Sequence, residues 1–161
     1  MKNLINRILI FFGFMKSPKK ESITFPSYGN IPQAFDFMIE LNLHRKSVGL
    51  EPLFTSGDKK IIDMCYHHAQ YMQQQERPSH DREFDRKQYI VQLFSDKTYC
   101  EECCAGNYSS SKAYLNAFLK SSKHKRALES KQVDTICAVL SSDEKYLIVF
   151  MYTKDIMKLR K

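Results

Sequence analysis

No stretch of this 161-residue chain is apolar for long enough to cross a bilayer. The run at residues 8–15, interrupted only by Gly13, stops well short of the ~20 residues that a spanning helix needs. Internal repeats and low-complexity tracts are also missing. So are the short signatures of several catalytic classes. There is no HExxH spacing, and Ser109-Ser110-Ser111 has no G-x-S-x-G setting, which argues against a nucleophilic serine. Cys100-x-x-Cys103 suggests a redox pair or half a zinc site, but no second Cys/His pair follows at ligand spacing.

What remains is an ordinary globular composition. The chain is 43% apolar and 27% charged, and its length suits one domain with a sizeable core. That composition excludes disorder and a multi-span membrane protein.

The net charge of +7 sits at the two ends. Residues 1–20 hold Lys2, Arg7, Lys16, Lys19 and Lys20 with no acid, and residues 154–161 hold Lys154, Lys158, Arg160 and Lys161 against Asp155. The body between them is close to neutral. A nucleic-acid-binding domain needs a basic face on the fold itself, so nucleic acid is not expected as a partner. Basic residues beside a short apolar run suit an anionic membrane surface better. The charge-then-apolar order of residues 1–15 also resembles an export signal, although a small-x-small cleavage site is missing. The other reading is an apolar helix docked on the domain. Residues 16–32, with Pro18, Pro26, Gly29 and Pro32, read as a linker, 33–154 as the domain and 155–161 as a basic tail.

Periodicity then divides the domain. Phe35, Met38, Ile39 and Leu43 recur at helical spacing, and Gly49 and Pro52 stop that helix. A second helix is expected from an N-cap at Ser56 to about Gln75, burying Ile61, Ile62, Cys65, Ala69 and Met72. Arg77-Pro78 ends it and leaves His80 in a loop. A short helix at 86–94, a strand at 99–105, a helix capped by Ser109 or Ser110, and a hairpin of 135–140 with 146–152 follow. Helices first and strands last imply an α+β layered domain.

Several segments, taken in order, resemble CAP domains, the SCP-like fold of cysteine-rich secretory, antigen 5 and pathogenesis-related proteins. Arg45-Lys46-Ser47-Val48-Gly49-Leu50-Glu51-Pro52-Leu53 resembles the family's "R-x-x-x-G-L-x-P-L". His68-Ala69-Gln70-Tyr71-Met72, then Ser79-His80, resembles "H-A-x-x-M … S-H". Ser121 to Leu128 resembles the bacterial "S-P-G-H-R-x-x-L", with Phe118 where tryptophan is usual. The family's Gly-Glu-Asn is Glu101-Glu102-Cys103 here, and its Gly-x-Gly is Cys137-Ala138-Val139. A diverged, bacterial-style member is implied, folded as a three-layer α-β-α sandwich with a small antiparallel sheet.

The resemblance implies that His80, Glu102 and His124 line one shallow cleft. Two imidazoles and a carboxylate can hold Zn²⁺ with an open fourth position, or serve acid–base chemistry. Neighbouring strand residues face opposite ways, so only one of Glu101 and Glu102 can enter the cleft, and the 22-residue spacing to His124 makes Glu102 the expected one. His44 is expected on a solvated helix face, with one of His67 and His68 exposed and the other packed. Cys65 reads as a core residue. Cys103 or Cys104 reads as a disulfide or core thiol rather than a reactive one, because an acidic neighbour raises a thiol's pKa. An odd count of five cysteines leaves at least one thiol unpaired, and in an exported protein a disulfide from the 100–104 cluster to Cys137 is expected. The expected function is a secreted or membrane-associated, non-enzymatic binding module whose cleft takes a metal ion, a lipid or a protein or peptide partner. The alternative is a zinc-dependent hydrolase acting on peptide or envelope polymer through His80, Glu102 and His124. A third reading is a cytoplasmic protein with free thiols.

Overall fold

The computed structural model describes residues 33–154. The expected signal-like segment, linker and basic tail lie outside the described residues. The chain enters through Gln33, bridged to Val139, and forms α1 (Phe35–Ser47), β1 (Phe54–Thr55), α2 (Lys59–Gln74) and α3 (Glu83–Leu93). It continues through β2 (Cys100–Gly106), α4 (Ser111–Lys120), α5 (Ser122–Leu128), β3 (Thr135–Leu140) and β4 (Tyr146–Tyr152). Strand order is β1-β3-β4-β2, antiparallel among the three long strands. The two-residue β1 pairs parallel to β3, so the small antiparallel sheet carries one short parallel edge.

Strand alternation sorts the core into two layers. Ile136, Ala138, Leu147, Val149, Met151 and Cys103 pack against α1, α4 and α5 through Phe37, Leu41, Leu115, Phe118 and Leu128. Cys137, Val139, Ile148, Phe150, Tyr152 and Cys104 pack against α2 and α3 through Ile61, Met64, Cys65, Met72 and Ile90. The fold is therefore the α-β-α sandwich that the sequence implied.

Local chemistry sets the helix ends. Asp58, not Ser56, caps α2, accepting from the Lys60 amide at 2.9 Å. Ser56 is drawn into the core instead, where its hydroxyl meets Tyr152 Oη at 2.9 Å. Ser110 caps α4. After α1, Gly49 takes φ +76°, and its amide bonds Lys46 O while the Leu50 amide bonds Arg45 O. This paired left-handed stop is one that glycine adopts without strain.

The face of α1 is a correction. Phe35, Ile39 and Leu43 are 54%, 57% and 60% exposed, while Phe37, Met38, Leu41 and Arg45 are buried. Arg45 lies inside because its guanidinium ties three stray carbonyls together: Glu51 O at 2.9 Å, Leu128 O at 2.6 Å and Ser130 O at 3.1 Å. His44 is not solvated either; its Nε2 meets Glu129 Oε1 at 2.9 Å and it is half-buried.

Candidate functional site

The site forms at edge strand β2, where the α2–α3 loop and α5 approach from opposite layers. Gly106 ends β2 against the loop; a Cβ there would lie 3.2 Å from Pro78 Cγ and 2.8 Å from the Tyr146 ring. Glycine thus lets the segment carrying Ser79 and His80 close down on the strand.

Glu102 is the carboxylate that turns inward, with its side chain fully buried beneath His80. Glu101 turns away and accepts from Tyr99 Oη. Arg86 of α3 holds both Glu102 oxygens, Nε to Oε2 at 2.6 Å and Nη2 to Oε1 at 2.8 Å. His80 Nδ1 lies 2.9 Å from Oε1, and the Cys104 thiol donates weakly to the same oxygen at 3.6 Å. Burial by itself would raise the Glu102 carboxyl. Hydrogen bonds from His80 and Arg86, with the Arg86 charge, overcome that and bring it down to about 2. An ionised carboxylate only accepts, so Nδ1 of His80 must carry the proton. The lone pair of neutral His80 is therefore on Nε2, on a side chain that is 32% exposed.

His124 faces it from α5. The two rings are 6.1 Å apart between centroids, and His124 also stands edge-on to Phe118 at 5.2 Å. Burial, then the charge on His80, lowers its pKa. Glu83 Oε2 lies 3.7 Å from His80 Nδ1, and Lys87 holds the other Glu83 oxygen at 2.7 Å. The structure thus gathers His80, Glu102 and His124 into one region, but in unequal roles. His80 and His124 are partly open, whereas Glu102 is sealed behind Arg86.

Among the described residues, two tight groupings of donor atoms could hold a metal ion: His68, Glu102 and Cys104, all buried, and His80, Glu83 and Glu102. Both contain the Glu102 carboxylate that Arg86 already neutralises, so a cation there must displace a guanidinium from a bidentate pair. As ligands, the imidazole nitrogens fit better than Glu102 does. The chemistry the donor set allows is that of a carboxylate-oriented imidazole, the usual support behind a metal-binding histidine.

No protein-family model and no curated protein matches the sequence. Solved structures do. An outer surface protein of Borrelia burgdorferi matches with a TM-score of 0.60 at 16% identity, over 80% of this chain and all of that one. An extracellular protein of Bacillus anthracis containing an SCP domain matches with a TM-score of 0.60 at 19% identity, over 75% of this chain and 40% of that chain. A cysteine-rich secretory protein of Staphylococcus aureus matches with a TM-score of 0.59 at 14% identity, over 76% of this chain and 38% of that chain. This chain has the SCP fold. It spans about two-fifths of the last two proteins.

Within this SCP fold, sequence reasoning missed the two residues that carry the loop of His80. Arg86 Nη1 donates to Asp81 O at 2.8 Å, and His68 Nε2 donates to Ser79 O at 2.7 Å, so both clamp the loop backbone. A nitrogen that donates to Ser79 cannot also accept from Arg86, so the 3.3 Å approach of Nη2 to His68 is packing. His68 sits in the segment that resembles the family pattern, yet nothing in its spacing says that it bonds a carbonyl. Arg86 has no sequence signal, since a helical arginine is ordinarily solvated. Burial, and then the Arg86 charge, lower the His68 pKa from 6.5 to about 4, against the opposing pull of Ser79 O.

That shift makes an acid-stability prediction. The unfolded chain binds a proton at His68 below pH 6.5 that the folded chain refuses until about pH 4. His68 therefore costs no stability above pH 6.5, and stability is lost as pH falls through that window, by up to about 3 kcal/mol. His68→Gln, whose amide can still donate to Ser79, should flatten this stretch of a stability-versus-pH curve measured by urea unfolding. An unchanged slope would show that His68 is not the group responsible.

The cysteines also depart from expectation. A disulfide from the 100–104 cluster to Cys137 is ruled out by topology. Cys137 pairs with Phe150 and Phe150 with Glu102, so β4 separates Cys137 from β2. Two strand spacings are about 9.6 Å, beyond the ~7 Å Cα limit of a disulfide. Cys103 and Cys104 are core thiols, and burial followed by neighbouring carboxylates pushes both upward, so neither is reactive.

Proposed function

We propose that this SCP domain is an extracytoplasmic, non-enzymatic binding module whose cleft takes a divalent metal ion through His80 and His124. The observation that carries the reading is the 2.9 Å contact of His80 Nδ1 with Glu102, which leaves the lone pair on Nε2 of a partly exposed ring. Glu102 is then the group that orients His80, and Arg86 the group that keeps Glu102 ionised. The mouth carries imidazoles, Glu83 and Lys87, which suits an ion or a polar group of a partner better than an acyl chain. A hydrolytic use would draw on Glu102 as ligand or base. With both oxygens on Arg86 and a pKa of about 2, that carboxylate is a poor base.

The extracytoplasmic placement draws on the signal-like order of residues 1–15 and on the names of the similar proteins, which are outer surface, extracellular and secretory. Among the described residues, no helix is long and apolar enough to cross a membrane. Zinc titration by calorimetry tests the cleft. Wild type should bind, the His80→Ala/His124→Ala double variant should not, and Glu102→Gln should bind roughly 10- to 100-fold more weakly. Equal behaviour of wild type and the double variant would remove the metal reading.

A further inference from the structure

A cavity of about 160 Å³ lies between α2, α3 and the loop that joins them. None of His80, Glu83, Glu102 and His124 lines it. Its inner wall is built from flat groups. His68 and Tyr71, three residues apart on α2, lie nearly parallel with 5.8 Å between ring centroids. The buried Arg86 guanidinium is 3.3 Å from His68, and its three nitrogens already bond Glu102 and Asp81 O. Arg86 therefore adds a cationic surface with little demand for further hydrogen bonds, which suits an aromatic ring.

The rim is exposed and charged, and its charges are matched. Asp81 Oδ2 accepts from Tyr71 Oη at 2.8 Å and from Arg77 Nη2 at 3.1 Å, and Asp85 Oδ2 accepts from Arg82 Nε at 2.8 Å. A ligand with a net charge of either sign would compete with one of these ion pairs. A neutral ligand with an O–H group keeps them and can donate to the second oxygen of Asp85. Arg82 stands at the rim with φ +60°, a left-handed backbone that is strained for a residue with a Cβ, and such strain collects at ligand clamps. Size narrows the class further: a cavity of ~150 Å³ is enough for benzene.

We propose that this cavity binds an uncharged phenol, with its ring against His68, Tyr71 and Arg86 and its hydroxyl donating to Asp85 at the rim. With the hydroxyl outward, the para position faces the inner wall, so the ligand is a free small molecule and not a tyrosine side chain of a partner. His68 and Arg86 also clamp the backbone of the loop that carries His80, so the ligand packs against the supports of the cleft. The site does not depend on what the cleft binds.

Phenol titrated into the full chain, followed by NMR of the backbone amides, tests this. Saturable shifts are expected in α2 around His68 and at the start of α3, with a Kd on the order of 1 mM, as seven heavy atoms permit. Cyclohexanol has the hydroxyl without the flat ring, and benzoate has the ring with a charge; both should bind at least about 10-fold more weakly. p-Cresol should be weaker than phenol, because its methyl group meets the inner wall. Asp85→Ala, a change at an exposed side chain, should weaken phenol by about 10-fold and leave benzene unchanged. No saturable shift with phenol, or equal binding of cyclohexanol, benzoate or p-cresol, would overturn the proposal. The wild-type titrations decide the matter whether or not the variant folds.

Discussion

Arg86→Leu should lower the unfolding free energy by about 3–5 kcal/mol, measured by urea denaturation near neutral pH. The size comes from what is left behind. Glu102 is fully buried, and Arg86 supplies two of its four hydrogen bonds and the charge that opposes its own. Without the guanidinium, the carboxylate must either stay charged in an apolar layer or take up a proton well above its present value. The same variant frees the Asp81 carbonyl, so the loop carrying His80 loses one of its two clamps. Arg86→Lys should recover part of the loss, since an ammonium matches the charge but not the fork. Arg86→Met with Glu102→Met should recover more, because an apolar pair of similar volume leaves no buried charge. A loss below about 1 kcal/mol for Arg86→Leu would mean that the pair is not the anchor described above.

The depressed carboxyl adds a pH dependence. Glu102 falls from 4.5 to about 2 on folding, so its contribution is fully present above pH 4.5 and disappears as pH drops toward 2. His68 acts at higher pH, between 6.5 and about 4. The stability of wild type should therefore fall over two overlapping pH ranges, and only the upper loss should vanish in His68→Gln.

The second large effect separates two leucines on one helix. Leu41→Ala should cost about 3–5 kcal/mol, because Leu41 is fully buried among Phe37, Phe118 and Leu128. Leu43→Ala should stay within about 0.5 kcal/mol, because Leu43 is 60% exposed. Comparable costs for the two would place α1 with its other face inward.

The contrast also shows where the sequence was legible. α1 carries two apolar stripes at helical spacing, Phe35–Ile39–Leu43 and Phe37/Met38–Leu41. Periodicity cannot rank them, and the deciding residue is Arg45, a charged side chain that enters the core to bond carbonyls from other segments. Such partners are fixed by tertiary contacts and leave no local trace. The hairpin was easier to read, because its β-branched and aromatic strands flank a polar turn and need only each other. Glu102 could be placed because strand alternation lets only one of two adjacent glutamates face in, and the 22-residue spacing to His124 picks Glu102. Its partner could not, since Arg86 lies on a different element, and pairing across elements is invisible to spacing. For the same reason nothing in the spacing shows that β4 separates Cys137 from the cysteines of β2. The order of short motifs did carry the architecture, and the SCP fold seen in the solved structures agrees with it.

The central claim is that Glu102 orients His80 and leaves Nε2 open. Nitrogen-15 NMR of the imidazoles at about pH 8 reads this directly. His80 should be the Nδ1–H tautomer, with Nε2 unprotonated, and Glu102→Gln should shift it toward the mixture of an unconstrained histidine. An Nε2–H tautomer for His80 in the wild-type protein would contradict the account.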